Sequence, residues 1–261
     1  MPVAPVAAAA ASLSLQPTLQ PALPASSWLV LLTATISHPV DLTRNPWGAK
    51  QQLDEDDRRR TYEEAVLRWA TESSVPVMLV ENSGASLDSL RQRIPTARRP
   101  TFELVSVNRS TTCAETEIGC FEAMAILDGV RASRLAVPFS HVLKVTGRYV
   151  LKDFRMGALL ASCATDAPDL MVQNPEWGKQ RGEPGWRQET QVFGFRKAAT
   201  EAIFGWARAG GECQECHIAE AAERLRAAGA DVCDLPSMPL RDPVAEGSTG
   251  IVRHSLLQLF P

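Results

Sequence analysis

His141-Val-Leu-Lys-Val-Thr-Gly-Arg-Tyr-Val-Leu-Lys-Asp-Phe154 passes from an apolar, β-branched run into a turn crowded with polar side chains. Lys144 aside, His141 to Val145 has the make-up of a central strand in an α/β sheet. Gly147 permits a sharp turn, and Thr146, Arg148 and Tyr149 project from it. Ligands of open α/β sheets gather at the carboxyl ends of strands. A guanidinium, a hydroxyl and a flat ring placed there suit an anionic, hydroxyl-rich ligand. The plainer alternative is an arginine that only ties its own turn together.

The flanking chain supplies the rest of such a sheet. Upstream, Trp28 to Ile36 reads as a first buried strand ending in Thr33 and Thr35, and Ser37-His38-Pro39 breaks it. Thr61-x-x-Glu64 has capping-box spacing and opens a helix with Tyr62, Val66, Trp69 and Ala70 on one face. Val75 to Val80 is a second strand running into Glu81-Asn82-Ser83-Gly84, and Ser86 to Arg93 a short helix. Phe102 to Val107 is a third strand, followed by a polar loop over Asn108 to Thr116. From Glu117 to Arg134 the residues Phe121, Met124, Ala125, Leu127 and Val130 keep helical spacing, which predicts a long helix leading back to the strand at His141.

Downstream, Asp169 to Val172 and Thr190 to Phe195 read as strands, and Ala198 to Ala209 and Glu215 to Ala228 as helices. The aperiodic stretch Asn174 to Arg187 has the length of a lid or binding loop. The terminal stretch Asp231 to Pro261 is turn-rich around Glu246-Gly-Ser-Thr-Gly250, and no internal repeat is present. Alternating strands and helices predict an α/β, Rossmann-like fold, a mostly parallel sheet flanked by helices and joined by right-handed crossovers. One domain is expected over residues 28–261, behind a low-complexity, disordered tail over 1–27 that carries no charged side chain.

Composition narrows the function. The chain of 261 residues can bury a substantial core. With 27 basic and 30 acidic residues it presents no overall basic field, so nucleic acid is not an expected partner. Arg58-Arg59-Arg60 and Arg98-Arg99 read as solvated faces. The apolar run at Trp28 to Ile36 is far short of the roughly 20 residues that span a bilayer, so no transmembrane segment is expected. Six cysteines are too few and too scattered for a disulfide scaffold, although one disulfide is compatible with them. The basic n-region of a signal peptide and the arginines of a transit peptide are missing from the tail. Cytoplasm and the Golgi or secretory pathway both stay open.

Four motifs in order, Thr33-Ala-Thr-Ile36 with Pro39, Glu81-Asn-Ser-Gly84, Gly119-x-x-Glu122-Ala123 and Lys144-Val-Thr-Gly-Arg-Tyr149, resemble small glycosyltransferase-like proteins of the GT-A type, associated with surface polysaccharide and glycan assembly. The resemblance covers about residues 28–255. It implies a GT-A-like fold, a nucleotide-sugar donor and a glycan or other hydroxyl acceptor. Departure of a sugar from its nucleotide builds negative charge on the diphosphate, which a metal or fixed cations must meet. GT-A enzymes usually hold that metal, manganese or magnesium, on an Asp-x-Asp after the fourth strand. The corresponding residues here are Thr146-Gly-Arg-Tyr149, with no acidic pair. The expectation is therefore a metal-free donor site in which Arg148 and Lys144 meet the diphosphate, with a divalent metal on unusual ligands as the alternative. Asp54-Glu-Asp56 fits the bare pattern, but it opens a helix with no strand before it.

Further roles follow from the resemblance. An inverting transfer needs one carboxylate at the acceptor hydroxyl, and Glu215 is the first candidate, with Glu212 and Glu246 in reserve. Thr33, Thr35 and Asn82 would address base and ribose, Thr146 and Gly147 would line the diphosphate, Glu122 would hold Arg148 or a ribose, and Tyr149 would stack on the donor. His254 would close the site. Each has a plain reading as well: helix-dipole acid, core ring or solvated charge. Two readings compete with the enzyme. One is a GT-A-like binding module without transfer. The other is haem or metal binding through Cys213-Gln-Glu-Cys216-His217, with Met238 as second axial ligand or Cys233 as a distant zinc ligand.

Overall fold

The computed structural model describes residues 27–37, 55–107, 113, 118–151, 154–173, 189–210, 214–235 and 240–241. The tail, the lid-length stretch 174–187, Asp54, Glu212, Cys213, Met238, Glu246 and His254 lie outside the described residues.

Seven strands form one mixed, mostly parallel sheet: β1 (Trp28–Ala34), β2 (Val77–Glu81), β3 (Phe102–Ser106), β4 (His141–Thr146), β6 (Leu170–Gln173), β7 (Glu189–Arg196) and β8 (Val232–Leu235). Their spatial order is β3-β2-β1-β4-β7-β6-β8. β1 pairs in parallel with both β2 and β4, β2 with β3, and β6 with β8, whereas β7 runs antiparallel to β4 and β6. The expected α/β class is therefore what the chain adopts. β5 (Val150–Leu151) and β9 (Leu240–Arg241) form a separate antiparallel ribbon.

β1 is central because both its faces are apolar. Trp28, Val30, Leu32 and Ala34 enter the cluster that includes Tyr62, Trp69, Leu90 and Leu160. Leu29 and Leu31 enter the opposite cluster with Phe121, Ile126, Phe193, Phe204 and Ile218. This alternation at period two places helices α1 (Glu55–Glu72), α2 (Asp88–Arg93) and α4 (Met156–Leu160) on one face, and α3 (Ile118–Ala132), α5 (Thr200–Phe204) and α6 (Gln214–Ala227) on the other. Every described side chain of β1 is nearly solvent-free. At about 25 cal/mol per Å² of apolar surface, each such leucine or valine contributes roughly 1.5–3 kcal/mol to the folded state.

Three expectations need correction. α1 begins at Glu55, so Thr61 is no cap; it sits in the second turn and its hydroxyl donates to the Asp57 carbonyl at 2.9 Å. The single helix expected over 198–209 is a short α5 between two 3-10 turns at 197–199 and 205–209, the second starting at Gly205 and ending before Gly210, which has φ 71°. The cysteines are a disulfide set after all. Cys113–Cys120 and Cys163–Cys233 are bonded, Cys216 is also disulfide-bonded, and no described cysteine is free. Spacing hides the second bond, because its partners are 70 residues apart and only the return of β8 to the sheet brings their Cα atoms to 5.2 Å. With its sulfur in a disulfide, Cys216 has no thiol for a haem thioether or for zinc. Neighbouring His217 stacks on Trp206 with ring centroids 4.3 Å apart.

Candidate active site at the mouth of the parallel strands

The carboxyl ends of β1, β2 and β4 open at one edge of the sheet, and the polar side chains there form a connected set. Lys144 is wholly buried in β4. Its ammonium donates to Glu122 of α3 at 2.9 Å, to the Thr146 hydroxyl at 2.9 Å and to the Thr190 carbonyl of β7 at 2.6 Å, and it lies 5.3 Å from the centre of the Phe193 ring. Burial pushes the lysine pKa down; Glu122, and more distantly Glu215, act in the opposite sense, and Arg148 adds to the lowering. Glu122 also accepts a hydrogen bond from the Thr33 hydroxyl at 2.5 Å. Glu215, in the first turn of α6, faces the same group, and the Thr190 hydroxyl lies 3.4 Å from it.

The turn after β4 is pressed against the end of β1. The Gly147 amide donates to the Thr33 carbonyl at 2.8 Å, and a Cβ on Gly147 would stand 2.6 Å from that oxygen. Only glycine fits so close to a neighbouring backbone. Arg148 and Tyr149 follow, half-buried, with the guanidinium 4.9 Å from the centre of the Tyr149 ring. The Tyr149 carbonyl accepts from the Trp69 indole at 2.9 Å, tying the turn to α1.

On the β2 side, the Thr35 hydroxyl donates to the Asn82 side-chain oxygen at 2.7 Å, and the Asn82 amide donates to the Phe121 carbonyl at 3.0 Å. The structure thus gathers Thr33, Glu122, Lys144, Thr146 and Glu215 in one network, with Gly147, Arg148 and Tyr149 on the adjoining turn. Thr35 and Asn82 form a neighbouring pair. Glu122 is bonded to Lys144 and Thr33. Lys144 points its charge inward.

Solved structures of overall similarity include a putative nucleotide-diphospho-sugar transferase from Desulfovibrio desulfuricans, 12% identical over 89% of this chain and 93% of that one, with a TM-score of 0.47. A nucleoside-diphosphate-sugar pyrophosphorylase from Vibrio cholerae is 13% identical over 80% and 91% of the two chains, with a TM-score of 0.45. HddC from Yersinia pseudotuberculosis is 10% identical over 82% and 92%, also at 0.45. The sequence matches no protein-family model and no curated protein sequence. At such low identities and TM-scores, function has to be read from the residues themselves.

Two residues at this mouth escape sequence reasoning. Glu81, wholly buried at the end of β2, folds the Glu-Asn-Ser-Gly turn around its own carboxylate. It accepts from the amides of Ile36 at 3.2 Å, Ser83 and Gly84 at 3.0 Å and Ala85 at 3.1 Å, and from the Ser83 hydroxyl. Gly84 has φ 80°, which lets successive amides converge on one anion. Arg58 is the second. Expected on a solvated face, it is half-buried and donates from Nε to the carbonyls of Thr35 and Ile36, both at 3.2 Å, and from Nη2 to Thr35. A signal for it exists: Arg58, Tyr62, Ala65 and Trp69 share one stripe of α1. Glu55 and Asp56 of the Asp-x-Asp pattern are exposed in the first turn of that helix. Among the described residues, no cluster of three His, Cys, Asp or Glu could hold a metal ion, and no helix is long and apolar enough to cross a membrane.

Proposed function

We propose that this chain is a glycosyltransferase that moves a sugar from a nucleotide-sugar donor to a hydroxyl of a glycan or other acceptor. The observation that carries the reading is the network at the ends of β1 and β4, where the Glu122–Lys144 pair, Thr33, Thr146 and Glu215 adjoin the turn bearing Arg148. Arg148 supplies positive charge where the leaving diphosphate gains negative charge, and a preorganised cation in a water-poor site acts without reorganisation cost. Glu215 takes the proton of the acceptor hydroxyl as general base. Lys144 is a positioning residue: its buried ammonium fixes the Glu122 carboxylate, which in turn orients the Thr33 hydroxyl. Thr35 and Asn82 serve the nucleoside, and Tyr149 offers a ring face to the donor.

The GT-A resemblance implies a divalent metal after the fourth strand. Thr146 to Tyr149 offer no carboxylate, and an arginine among them repels a cation, so the donor set does not fit a metal there and no step is routed through one. A panel of nucleotide sugars in a thermal-shift assay, in chelator and in manganese, identifies the donor, because a ligand that binds only the folded state raises the melting temperature. Turnover of that donor should fall by orders of magnitude in Arg148→Ala with the fold retained. Unchanged turnover would make the turn purely structural. Donor binding without transfer to any acceptor would favour the binding module instead.

A further inference from the structure

Arg58 is not used in the scheme above, yet its placement is unusual. It rises from the first turns of α1 to grip the two carbonyls that end β1, those of Thr35 and Ile36, through Nε and Nη2. Those bonds set the plane of the guanidinium, and among the described residues Nη1 makes no hydrogen bond. Among the described residues no carboxylate pairs with it. The acids nearby have other work: Glu81 holds its own turn, and Glu122 and Glu215 face Lys144. What lies within electrostatic reach of Arg58 is a second guanidinium, Arg148, together with Tyr62. Burial first, and the charge of Arg148 among the other influences, push the Arg58 pKa down. Tyr62 also touches the position where a Gly147 side chain would start, so α1 and the β4 turn meet at this point.

Among the described residues the half-buried Arg58 guanidinium is bonded to neutral carbonyls alone, which leaves its charge for something to compensate. A charge-assisted anion ligand does so, and a guanidinium held in plane by backbone carbonyls loses little freedom on receiving it. Resting on the glycosyltransferase reading, we infer that Arg58 is the second cation of the donor site and, with Arg148, binds the diphosphate of the nucleotide. Lys144, whose ammonium is fully engaged inside the sheet, does not take that part. The pair of arginines does electrostatically what a divalent ion does elsewhere: it neutralises the diphosphate in the ground state and stabilises it as the leaving group.

The test is calorimetric titration of the full chain in EDTA with inorganic pyrophosphate, with UDP, GDP, CDP and ADP, and with the matching free nucleosides. At least one nucleoside diphosphate should bind the wild type. In Arg58→Gln its Kd, and that of pyrophosphate, should rise at least tenfold, while the free nucleoside binds as before. Arg58→Lys should recover part of the loss, and added salt should weaken wild-type binding more than that of the Gln variant. Unchanged diphosphate affinity in Arg58→Gln, with wild-type binding intact, overturns this inference alone. Equal loss for nucleoside and diphosphate makes Arg58 a strand-end clamp and also overturns it. If no nucleoside diphosphate binds the wild type, the glycosyltransferase reading falls and takes this inference with it.

Discussion

Replacing Glu122 by Gln removes the carboxylate from a fully buried ammonium and leaves its shape. Lys144 would retain the Thr146 hydroxyl and the Thr190 carbonyl as acceptors, both neutral, inside a sheet that admits no water to its side chain. A charged lysine stranded there is costly, with about 3–5 kcal/mol typical for breaking a buried pair. That penalty has a ceiling, because the lysine can instead fold neutral. At pH 7 giving up its proton costs the gap to the unfolded pKa near 10.4, roughly 3.4 pH units at 1.36 kcal/mol each, or about 5 kcal/mol. The two limits agree, so a loss of about 3–5 kcal/mol is expected at pH 7, out of a total stability of the order of 10 kcal/mol. The sign of the pH dependence follows. Below the unfolded pKa the unfolded chain binds a proton that the folded variant refuses, so the stability of the variant rises with pH. Urea unfolding of wild type and Glu122→Gln from pH 7 to pH 9 should show the deficit shrinking by up to about 1.4 kcal/mol per pH unit. A deficit under 1 kcal/mol would refute the picture of Lys144 as an interior cation sustained by Glu122, whereas a large deficit that stays constant over that range would show that the variant folds with the lysine still charged.

Gly147→Ala would drive a methyl group to 2.6 Å from the Thr33 carbonyl oxygen. The turn must then move off β1, so a stability loss of about 1–3 kcal/mol is expected, together with weaker donor binding. Equal melting temperature and donor affinity in the variant and wild type would show that the turn is not pinned. His141, buried at the start of β4 and tilted against the Trp28 ring with centroids 4.7 Å apart, has its pKa lowered by burial and then by Arg196. The unfolded chain protonates it first as pH falls below about 6.5, so stability should decline in that window and level off below the folded pKa. In denaturant titrations from pH 7.5 to pH 5, His141→Phe should flatten the slope, and an unaltered slope would assign the acid sensitivity to other groups.

The four parallel strands β1 to β4 and the polar turns at their ends are legible in the sequence because each is short, apolar and closed by Gly, Pro or hydroxyl residues. Strand β7 was legible as a strand but not as an antiparallel one, since direction depends on which neighbour it pairs with, and periodicity is blind to that. Glu122 stood out as an acid on an apolar helix face, but its partners did not: Lys144 of β4 and the Thr33 hydroxyl of β1 meet it, a pairing of helix and sheet that spacing along the chain does not reveal. Arg58 was hidden by its company, three arginines in a row reading as a solvated cluster although one of them lies on the buried stripe. Glu81 looked like an ordinary turn residue, since a carboxylate collecting backbone amides needs three-dimensional folding of its own loop. The disulfides were hidden for the same reason, by distance along the chain.

The Cys163–Cys233 bond has a consequence beyond the sheet it fastens. It tethers β8, an edge strand of the sheet, to the segment after α4 across a sequence separation of 70, and the loop it closes holds β6, β7, α5 and all of α6. By loop entropy a closure of that length withholds about 4 kcal/mol of freedom from the unfolded chain. A glutathione-reduced surrounding withdraws that contribution and loosens the edge strand, which frees it for pairing with another chain. The redox poise in which the polypeptide is made thus governs how much of it reaches the native state, and a production host with an oxidising lumen is the natural choice.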